Sequence, residues 1–212
     1  MSAAPALLVF AKSPVPGRVK TRLAATIGDG PAAAVYRELT AATLAHAGAA
    51  RRAGVVCSVE LWCAPDPDSA YFRQRAAAAG ATRHRQAGAD LGARMAHAIT
   101  DALDRHAAVL LIGTDCPLLD AAYLARASAL LAGHDAVLGP AEDGGYVLVG
   151  ATRPLPFAGV RWSSPHALAD TEASFARAGL AWRTAPTLWD VDAPADLARW
   201  RGSDNAPASA AP

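Results

Sequence analysis

The sequence contains few cysteines and carries almost no net charge. The three cysteines, Cys57, Cys63 and Cys116, are odd in number and lack the spacing of metal ligands. We expect them to be buried thiols in a reducing compartment, which excludes a disulfide framework. The 20 basic residues against 19 acidic ones leave a formal net charge of +1. Because this balance provides no global field for nucleic acid or a membrane surface, any anion must be recognised locally.

Long hydrophobic runs are missing as well. No stretch approaches the ~20 apolar residues that a membrane span requires, and the N-terminal apolar run has no cationic leader before it. We therefore expect a cytoplasmic protein without a membrane or nucleic-acid partner, and its oligomeric state is left open. Because 52% of the 212 residues are hydrophobic, one full core is possible. Residues 1–201 are predicted to form a single domain, and residues 202–212 a disordered tail.

Short apolar runs alternate with helical patterns, which favours an α/β fold whose mostly parallel sheet is covered by helices on both faces. The strands at 7–10 and 109–112 are predicted to be inner, parallel neighbours, because they are apolar without polar alternation. Further strands are predicted at 55–62, 83–85, 136–138, 146–149 and 183–188. Helices are predicted up to about residue 52, over 66–79, over 91–102, around 123–130, from Ser164 as N-cap with Pro165 in the first turn, and from about Pro194.

A basic loop follows the first strand. Residues 10–23 (FAKSPVPGRVKTRL) contain four cations, Lys12, Arg18, Lys20 and Arg22. Ligands of open α/β sheets bind at the carboxyl ends of the strands, where Gly17 would allow close backbone approach and the cations could neutralise a di- or triphosphate. The alternative is a solvated basic turn. Neither a P-loop nor a dinucleotide-binding fold is supported, since the Walker and G-x-G-x-x-G patterns are absent.

Two acidic segments provide candidate metal ligands. Asp115 lies just beyond the strand at 109–112 and suits Mg²⁺ or Mn²⁺, which prefer carboxylate and phosphate oxygens. The alternative for Asp115 is a turn aspartate that bonds its own backbone. Near the C-terminus, Asp190 and Asp192 would point the same way in an extended chain. The alternative for Asp192 is a cap of the last helix.

A third acidic segment, residues 139–150 (GPAEDGGYVLVG), is open to two interpretations. It could be a plain hairpin turn, since Asp-Gly is a common hairpin signal. Otherwise Asp143 reaches a metal or an acceptor, and the glycines that follow it make room for the ligand. Downstream, Trp162 and Ser163 could wall an acceptor pocket, although Trp162 could also be a core residue.

With these segments in this order, the chain resembles a bacterial family labelled arsenosugar-biosynthesis or radical-SAM/selenodomain-associated glycosyltransferase. That family has the three-layer, Rossmann-like GT-A (nucleotide-diphospho-sugar transferase) fold. The matching stretches are FAKSPVPGRVKTRL (10–23), DLGARM (90–95), IGTDCPLL (112–119), GPAEDGGYVLVG (139–150), RWSSPHALADT (161–171) and WDVDAPADL (189–197). Together they extend over most of residues 5–200.

A looser similarity links the chain to 2-phospholactate guanylyltransferase and to the molybdenum-cofactor guanylyltransferases. It depends on the KTRL loop at 20–23 and on the D-x-P-x-x-D-L pattern at 192–197. Those enzymes usually carry an asparagine in the segment that matches Leu91 and Gly92. This departure places recognition of guanine, or of any particular base, in doubt.

The resemblance implies a transferase that uses an activated nucleotide. It implies that the basic loop holds the nucleotide phosphates, that Asp115 binds Mg²⁺ or Mn²⁺ and that Asp190 or Asp192 completes the metal site. It also implies that the segment from Asp90 to Arg94 lies near the nucleoside. The leading hypothesis is glycosyl transfer from a nucleoside-diphosphate sugar to a small acceptor. The first alternative is nucleotidyl transfer from an NTP to a phosphorylated small molecule, with release of pyrophosphate. A non-catalytic nucleotide-binding protein is the second alternative, disfavoured because phosphate binding alone does not need three acidic segments.

These interpretations assign candidate residues to four roles. The candidate catalytic residues are Asp115, Asp143 and Lys20. The candidate nucleotide-binding residues are Lys12, Gly17, Lys20, Thr21, Arg22, Asp90, Gly92 and Arg94. The candidate acceptor-binding residues are Gly144, Gly145, Tyr146, Trp162 and Ser163. The candidate metal ligands are Asp115, Asp190 and Asp192.

Overall fold

The computed structural model describes residues 3–203. Along the chain it contains β1 (Ala6–Lys12), α1 (Thr21–Ile27), α2 (Asp29–Arg52), β2 (Ser58–Ala64), α3 (Ala70–Ala79), β3 (Thr82–Arg85), α4 (Leu91–Leu103), β4 (Val109–Ile112), α5 (Ala121–Leu131), β5 (Ala136–Pro140), β6 (Tyr146–Ala151), α6 (Ala167–Arg177), β7 (Trp182–Thr184) and α7 (Pro194–Arg201). The predicted disordered tail at 202–212 lies outside the described residues from position 204 onward. The division into one domain and a tail stays a prediction.

The strands form one seven-stranded sheet in the order β3-β2-β1-β4-β6-β5-β7. Strand β1 pairs in parallel with both β2 and β4, with Leu7 opposite Leu110. Strand β6 runs antiparallel to its neighbours β4 and β5, whereas β5 and β7 are parallel. The prediction of a mostly parallel sheet with 7–10 and 109–112 as inner neighbours is therefore confirmed.

Both faces of the sheet are covered by helices. Successive side chains of a strand point to opposite faces, so Leu7 and Val9 of β1 pack toward α2, α3 and α5. Leu8 and Phe10 pack toward α4 and α6 on the other face. The two clusters together give the predicted three layers, and full burial of a side chain such as Leu7 contributes about 1.5–3 kcal/mol.

The start of α6 differs from its prediction. The Ser164-Pro165 pair was expected to open this helix, but the helix begins at Ala167. The Ser164 hydroxyl donates to the Arg161 carbonyl at 2.6 Å and accepts from the His166 amide at 3.2 Å. Because these bonds close a local turn, Ser164 does not cap the helix, and its prediction as N-cap is wrong.

Other element boundaries also shift. The helix predicted over 66–79 begins only at Ala70, because Ser69 is its N-cap and accepts from the Phe72 amide. The second strand starts at Ser58 rather than at residue 55. The strand predicted over 183–188 spans Trp182–Thr184, with a single further bridge at Leu188.

The three cysteines differ in their exposure. Cys63 and Cys116 are buried free thiols, and burial raises the pKa of each to about 12. Cys57, which lies just before β2, is free but exposed, whereas its neighbour Val56 is buried, so the expectation of a buried thiol is wrong there. Within residues 3–203, no helix has both the length and the apolar character needed to cross a bilayer.

Candidate functional site

A cavity of about 720 Å³ opens at the carboxyl ends of β1 and β4. One wall is the basic loop between β1 and α1, and another is the loop after β4. The remaining walls come from the turn before β6, the segment before α6 and the segment between β7 and α7. The sheet order explains this, because β1 and β4 are adjacent and parallel and so deliver their following loops to one edge.

Most of the residues predicted for the site line this cavity. They are Lys12, Lys20, Thr21, Arg22, Asp115, Asp143, Tyr146, Trp162, Ser163, Asp190 and Asp192. The structure places the other predicted residues outside the cavity wall, namely Gly17, Asp90, Gly92, Arg94, Gly144 and Gly145.

Lys20 is the buried cation of the site. Its side chain is only 3% exposed, and its ammonium group lies 2.6 Å from Asp115 Oδ1 and 3.9 Å from Asp192 Oδ1. The residue has a left-handed backbone conformation, with φ of 50°, just before α1. Such a conformation is unfavourable for a side chain with a Cβ, by roughly 1–2 kcal/mol. The unfavourable backbone conformation of Lys20 therefore accompanies the placement of its ammonium group between two carboxylates.

Asp192 faces the cavity rather than capping the last helix. Asp196 accepts from the amides of Asp192 and Ala193 at 3.1 and 2.7 Å and so takes the capping role at α7. The carboxylate of Asp192 receives a hydrogen bond of 2.9 Å from Arg22. The helix-cap alternative for Asp192 is therefore not what the structure shows.

Asp190 lies deeper in the same wall. Burial, and after it the negative charges of Asp143 and Asp115, raise the pKa of Asp190 to about 6, while the positive charge of Lys20 opposes them. The neighbouring amide of Val191 donates to the backbone carbonyl of Asp115 at 2.9 Å. This bond ties the C-terminal acidic segment to the end of β4 and brings the two segments to one place.

The donor set of the site fits a divalent cation that is shared with phosphates. In the described part of the chain, no three His, Cys, Asp or Glu side chains are grouped closely enough to hold a metal by themselves. Asp115 Oδ1 is buried, and its partner is the ammonium group of Lys20 at 2.6 Å. Mg²⁺ is commonly held by one or two carboxylates plus substrate phosphates. Asp115 with Asp190 or Asp192 would provide those carboxylates.

Two glycines shape the wall around Asp143 without lining the cavity. Gly144 has φ of 85°, and a Cβ there would lie 2.3 Å from the carbonyl oxygen of Pro165. Its own carbonyl accepts from Leu168 at 3.0 Å, which locks the turn against the start of α6. Asp143 accepts from the Gly145 amide at 2.8 Å. Asp143 is thus a turn residue and a cavity residue at once.

Trp162 is partly a packing residue and partly a wall residue. Its ring lies 6.2 Å from the Tyr146 ring and 6.0 Å from the Phe157 ring, centroid to centroid. A Cβ on Gly92 would come within 2.9 Å of the Trp162 ring. Gly92 therefore makes room for Trp162 rather than for a ligand. Ser163, next to it, has a left-handed backbone with φ of 55°.

The residues expected near the nucleoside have structural partners. Asp90 caps α4 by accepting from the Ala93 amide at 2.8 Å. Arg94 donates through Nε to the carbonyl of Gly88 at 3.1 Å. The segment does reach the cavity, but through the side chains of Leu91 and Met95.

Three polar residues of the cavity lining, Tyr36, Gln86 and Thr114, were not predicted from the sequence. Tyr36 accepts from the Lys12 amide at 2.8 Å and from the Thr114 hydroxyl at 3.2 Å, and burial raises the pKa of Tyr36 to about 12. Gln86 donates to two backbone carbonyls at 2.8 and 3.1 Å. Gln86 directly follows β3, so the rule on strand ends could have found it. Nothing in the sequence distinguishes Tyr36 from a helix core residue.

The fold defines the chain as a member of the nucleotide-diphospho-sugar transferase class of structures. It is 31% identical to a Desulfovibrio desulfuricans protein described as a candidate nucleotide-diphospho-sugar transferase, with a TM-score of 0.80 over 97% of this chain and 93% of that one. The inositol-1-phosphate CTP transferase of T. maritima is 11% identical, with a TM-score of 0.56 over 93% of each chain. These neighbours are transferases, and the predicted GT-A-type fold is confirmed.

A third solved structure has a bound metal and nucleotide. Glucosyl-3-phosphoglycerate synthase of Mycobacterium tuberculosis, in complex with Mn²⁺, UDP and glucosyl-3-phosphoglycerate, is 13% identical to this chain. Its TM-score is 0.53, and the match covers 93% of this chain and 75% of the synthase. At this identity the likeness shows the fold alone.

The chain belongs to the DUF2064 family, described as uncharacterized protein conserved in bacteria, whose profile matches residues 43–164. No curated protein matches the sequence. The superfamily part of the predicted resemblance is thereby supported. The arsenosugar and radical-SAM association stays a prediction.

Proposed function

We propose that this protein is a metal-dependent transferase that moves a glycosyl group from a nucleoside-diphosphate sugar to a small acceptor. The observation that carries the proposal is the buried ammonium group of Lys20 between Asp115 and Asp192, in a cavity whose other side presents Asp143 and Trp162. The charged donor would bind near Lys20, and the acceptor would bind separately near Asp143 and Trp162.

The phosphates are assigned to the basic loop. Lys12, Arg18, Lys20 and Arg22 all line the cavity. Hydrogen bonds to charged groups contribute about 1.5–3 kcal/mol each, more than neutral ones, and Arg can contact a phosphate through two nitrogens. The loop therefore offers enough positive charge for a diphosphate.

A divalent cation, Mg²⁺ or Mn²⁺, is assigned to Asp115 together with Asp190 or Asp192. When bound, such an ion would stabilise charge on the leaving diphosphate. The carboxylates would hold the ion, and Lys20 reduces the repulsion between Asp115 and Asp192. The Mn²⁺ in the Mycobacterium tuberculosis synthase supports this assignment by analogy of fold.

Asp143 is assigned to the acceptor. It is exposed to the cavity through its carboxylate and fixed at its base by the Gly145 amide. A carboxylate in that position can orient an acceptor hydroxyl and take up its proton during transfer. Tyr146, Trp162 and Ser163 complete this side of the cavity.

The identity of the leaving group tests the proposal. Purified protein would be incubated with Mg²⁺ or Mn²⁺ in two parallel assays. One contains UDP- and GDP-sugars with a panel of small alcohols, the other contains NTPs with phosphorylated small molecules, and the products are separated by ion-exchange chromatography. Glycosyl transfer releases a nucleoside diphosphate in step with product and no pyrophosphate. Pyrophosphate formed from an NTP in step with product would reject glycosyl transfer.

Nucleotidyl transfer is the second candidate, and one observation favours it. Four cations line the cavity from a single loop, and a triphosphate carries more negative charge than a sugar diphosphate. The same fold occurs in the inositol-1-phosphate CTP transferase. Non-catalytic nucleotide binding would be indicated by tight nucleotide binding without turnover in both assays.

A further inference from the structure

The positive charges of the cavity all come from one segment of the chain. Its positive lining residues, Lys12, Arg18, Lys20 and Arg22, lie between the last residue of β1 and the second residue of α1. A second part of the lining, which we name the acceptor wall, consists of Asp143, Tyr146, Trp162, Ser163 and Ser164. Among the described residues, this wall contributes one carboxylate and no Lys, Arg or His to the cavity. A group that lies against this wall therefore meets a carboxylate and no cation of the wall itself.

Nearby cations are already engaged elsewhere. Arg161, the neighbour of Trp162, donates to Asp170 through two nitrogens, both at 2.9 Å. Arg199 donates in the same bidentate way to Glu142, the neighbour of Asp143, at 2.8 and 3.1 Å. Neither arginine lines the cavity. Turning one of them toward the acceptor wall would break a paired contact and leave an acid without its partner.

The acceptor wall is also held in place. The close approach of Gly144 to the Pro165 carbonyl leaves no room for even a Cβ, and the Leu168 amide bonds Gly144 at 3.0 Å. Ser163 adopts a left-handed backbone, which a residue with a Cβ keeps only where its surroundings fix it. The charge pattern of this wall is thus a property of the folded chain rather than of one mobile side chain.

We propose that the acceptor is an uncharged or cationic small molecule, an alcohol or amine with a flat apolar part, and not a phosphorylated or carboxylated compound. An anionic group there would face Asp143 in a partly desolvated cavity, on a wall that contributes no cation, and like charges brought together in this way are strongly unfavourable. The flat part would contact Trp162 and Tyr146, since aromatic rings provide large apolar area. This inference rests on the proposed function.

The transfer step is balanced without a further reactant. The acceptor oxygen or nitrogen forms a bond to the anomeric carbon of the donor sugar. The bond between that carbon and the phosphate oxygen breaks, and its electron pair leaves with the nucleoside diphosphate. The proton of the acceptor passes to the Asp143 carboxylate and from there to water.

The test uses three probes that share one scaffold, namely tyramine (cationic), tyrosol (neutral) and 4-hydroxyphenylacetate (anionic). The full-length protein is first titrated by calorimetry with UDP, GDP, ADP and CDP in Mn²⁺, and then each probe is titrated into the protein saturated with the tightest of the four. We expect tyramine and tyrosol to bind at least about tenfold more tightly than 4-hydroxyphenylacetate, a difference that a single unfavourable charge contact readily produces. Asp143→Asn should remove the preference for tyramine over tyrosol, and Asp143→Lys should shift the ranking toward the anion.

Asp104→Asn is the charge-matched control, because Asp104 is exposed, lies outside the cavity and should leave the ranking unchanged. Equal or tighter binding of 4-hydroxyphenylacetate by the wild-type protein would overturn the inference alone, and so would failure of all three probes to bind. Failure of all four nucleotides to bind would overturn the proposed function, and the inference with it.

Discussion

Lys20 combines burial, charge and an unfavourable backbone in one residue. Its ammonium group contacts Asp115 and lies 3.9 Å from Asp192, so the basic loop and two acidic segments meet at this side chain. Ser163, on the acceptor wall, is the other non-glycine residue with positive φ in the described part of the chain. Unfavourable backbone conformations concentrate at functional sites, and here both of them line one cavity.

Replacing Lys20 or Arg22 by alanine should weaken nucleotide binding more than folding. Each lost charge-assisted contact corresponds to about 1.5–3 kcal/mol, or roughly ten- to a hundredfold in affinity. Lys20→Ala should have the larger effect, because it also leaves Asp115 without its cation. Calorimetric titration with UDP and GDP in Mg²⁺ measures both variants. Arg126→Ala, an exposed arginine on α5, is the control, and equal affinities in all four proteins would show that the loop is a solvated turn.

Asp115→Asn keeps the shape of the side chain and removes its charge. We expect a near-wild-type melting temperature, loss of metal-dependent stabilisation by nucleotide, and activity lower by at least ~10²-fold, as for other single electrostatic groups in active sites. Thermal-shift measurements with and without Mg²⁺ or Mn²⁺ test the binding part. Asp192→Asn should behave alike, and because Asp196 caps α7, its stability should also be preserved. Full metal-dependent binding in both variants would contradict the metal assignment.

The position of a residue at the end of a strand was sufficient to predict several cavity residues. Asp115 follows β4 directly, and Lys12 ends β1, so the rule on carboxyl ends of strands places both at the cavity. Asp90 and Gly92 were predicted from resemblance, which gives a place along the chain but not the direction of a side chain. The structure shows that they cap a helix and accommodate Trp162. Tyr36 could not be predicted, because its role depends on contacts distant in sequence.

At the scale of elements, α4 is the helix that brings the segment 90–95 to the cavity. Asp90→Ala removes the hydrogen bond to the Ala93 amide, and loss of an N-cap typically costs about 1 kcal/mol. For a chain of this size, that should lower the melting temperature by about 2–4 °C. Nucleotide affinity should remain within twofold of wild type, because Asp90 lies outside the cavity wall.

Asp90→Ser provides the control for the capping role, since serine is also a good N-cap and should restore most of the stability. Differential scanning calorimetry gives the melting temperatures, and nucleotide titration is run in parallel. A drop in nucleotide affinity of more than tenfold at unchanged melting temperature would show that Asp90 contacts the nucleotide after all.

The elements that are buried on both faces were the easiest to predict from the sequence. Strands β1 and β4 are covered on both faces, and their uninterrupted apolar runs made them recognisable. The seven-residue helix α1 was missed, because its residues were interpreted as part of the phosphate loop. The start of α6 was placed too early, because Ser-Pro has the composition of a helix start but here forms a turn with Arg161. The local sequence alone does not decide whether such a segment forms a helix, a loop or a turn.

At the scale of the whole molecule, the carboxylates of the cavity make stability depend on pH. The pKa of Asp190 in the folded protein is about 6, above its ordinary value of 3.8, chiefly because of burial. Between about pH 4 and pH 6, the folded protein therefore holds a proton that the unfolded chain releases. Stability should fall as the pH rises through this window, and the loss should be fully present above pH 6.

Asp190→Asn should remove this dependence. In EDTA at pH 7 the variant should be more stable by about 1–2 kcal/mol, a value reduced for the partial exposure of Asp190. That corresponds to a melting temperature about 2–8 °C higher. Thermal unfolding measured from pH 4 to pH 8 tests this, with Asp104→Asn, an exposed aspartate just after the last residue of α4, as the charge-matched control. A melting temperature equal to or below that of wild type at pH 7 would contradict the prediction.

The separation of the two walls along the chain has a consequence for how such proteins diversify. The phosphate loop is contributed by residues 12–22 and the acceptor wall by residues 143–164, with the strands of one sheet between them. Among the described residues, no hydrogen bond or ion pair joins these two segments, so substitutions in one need not disturb the other. We therefore expect that the acceptor wall can be exchanged between homologous chains as a single contiguous segment, from the turn before β6 to the start of α6, while the basic loop stays unchanged.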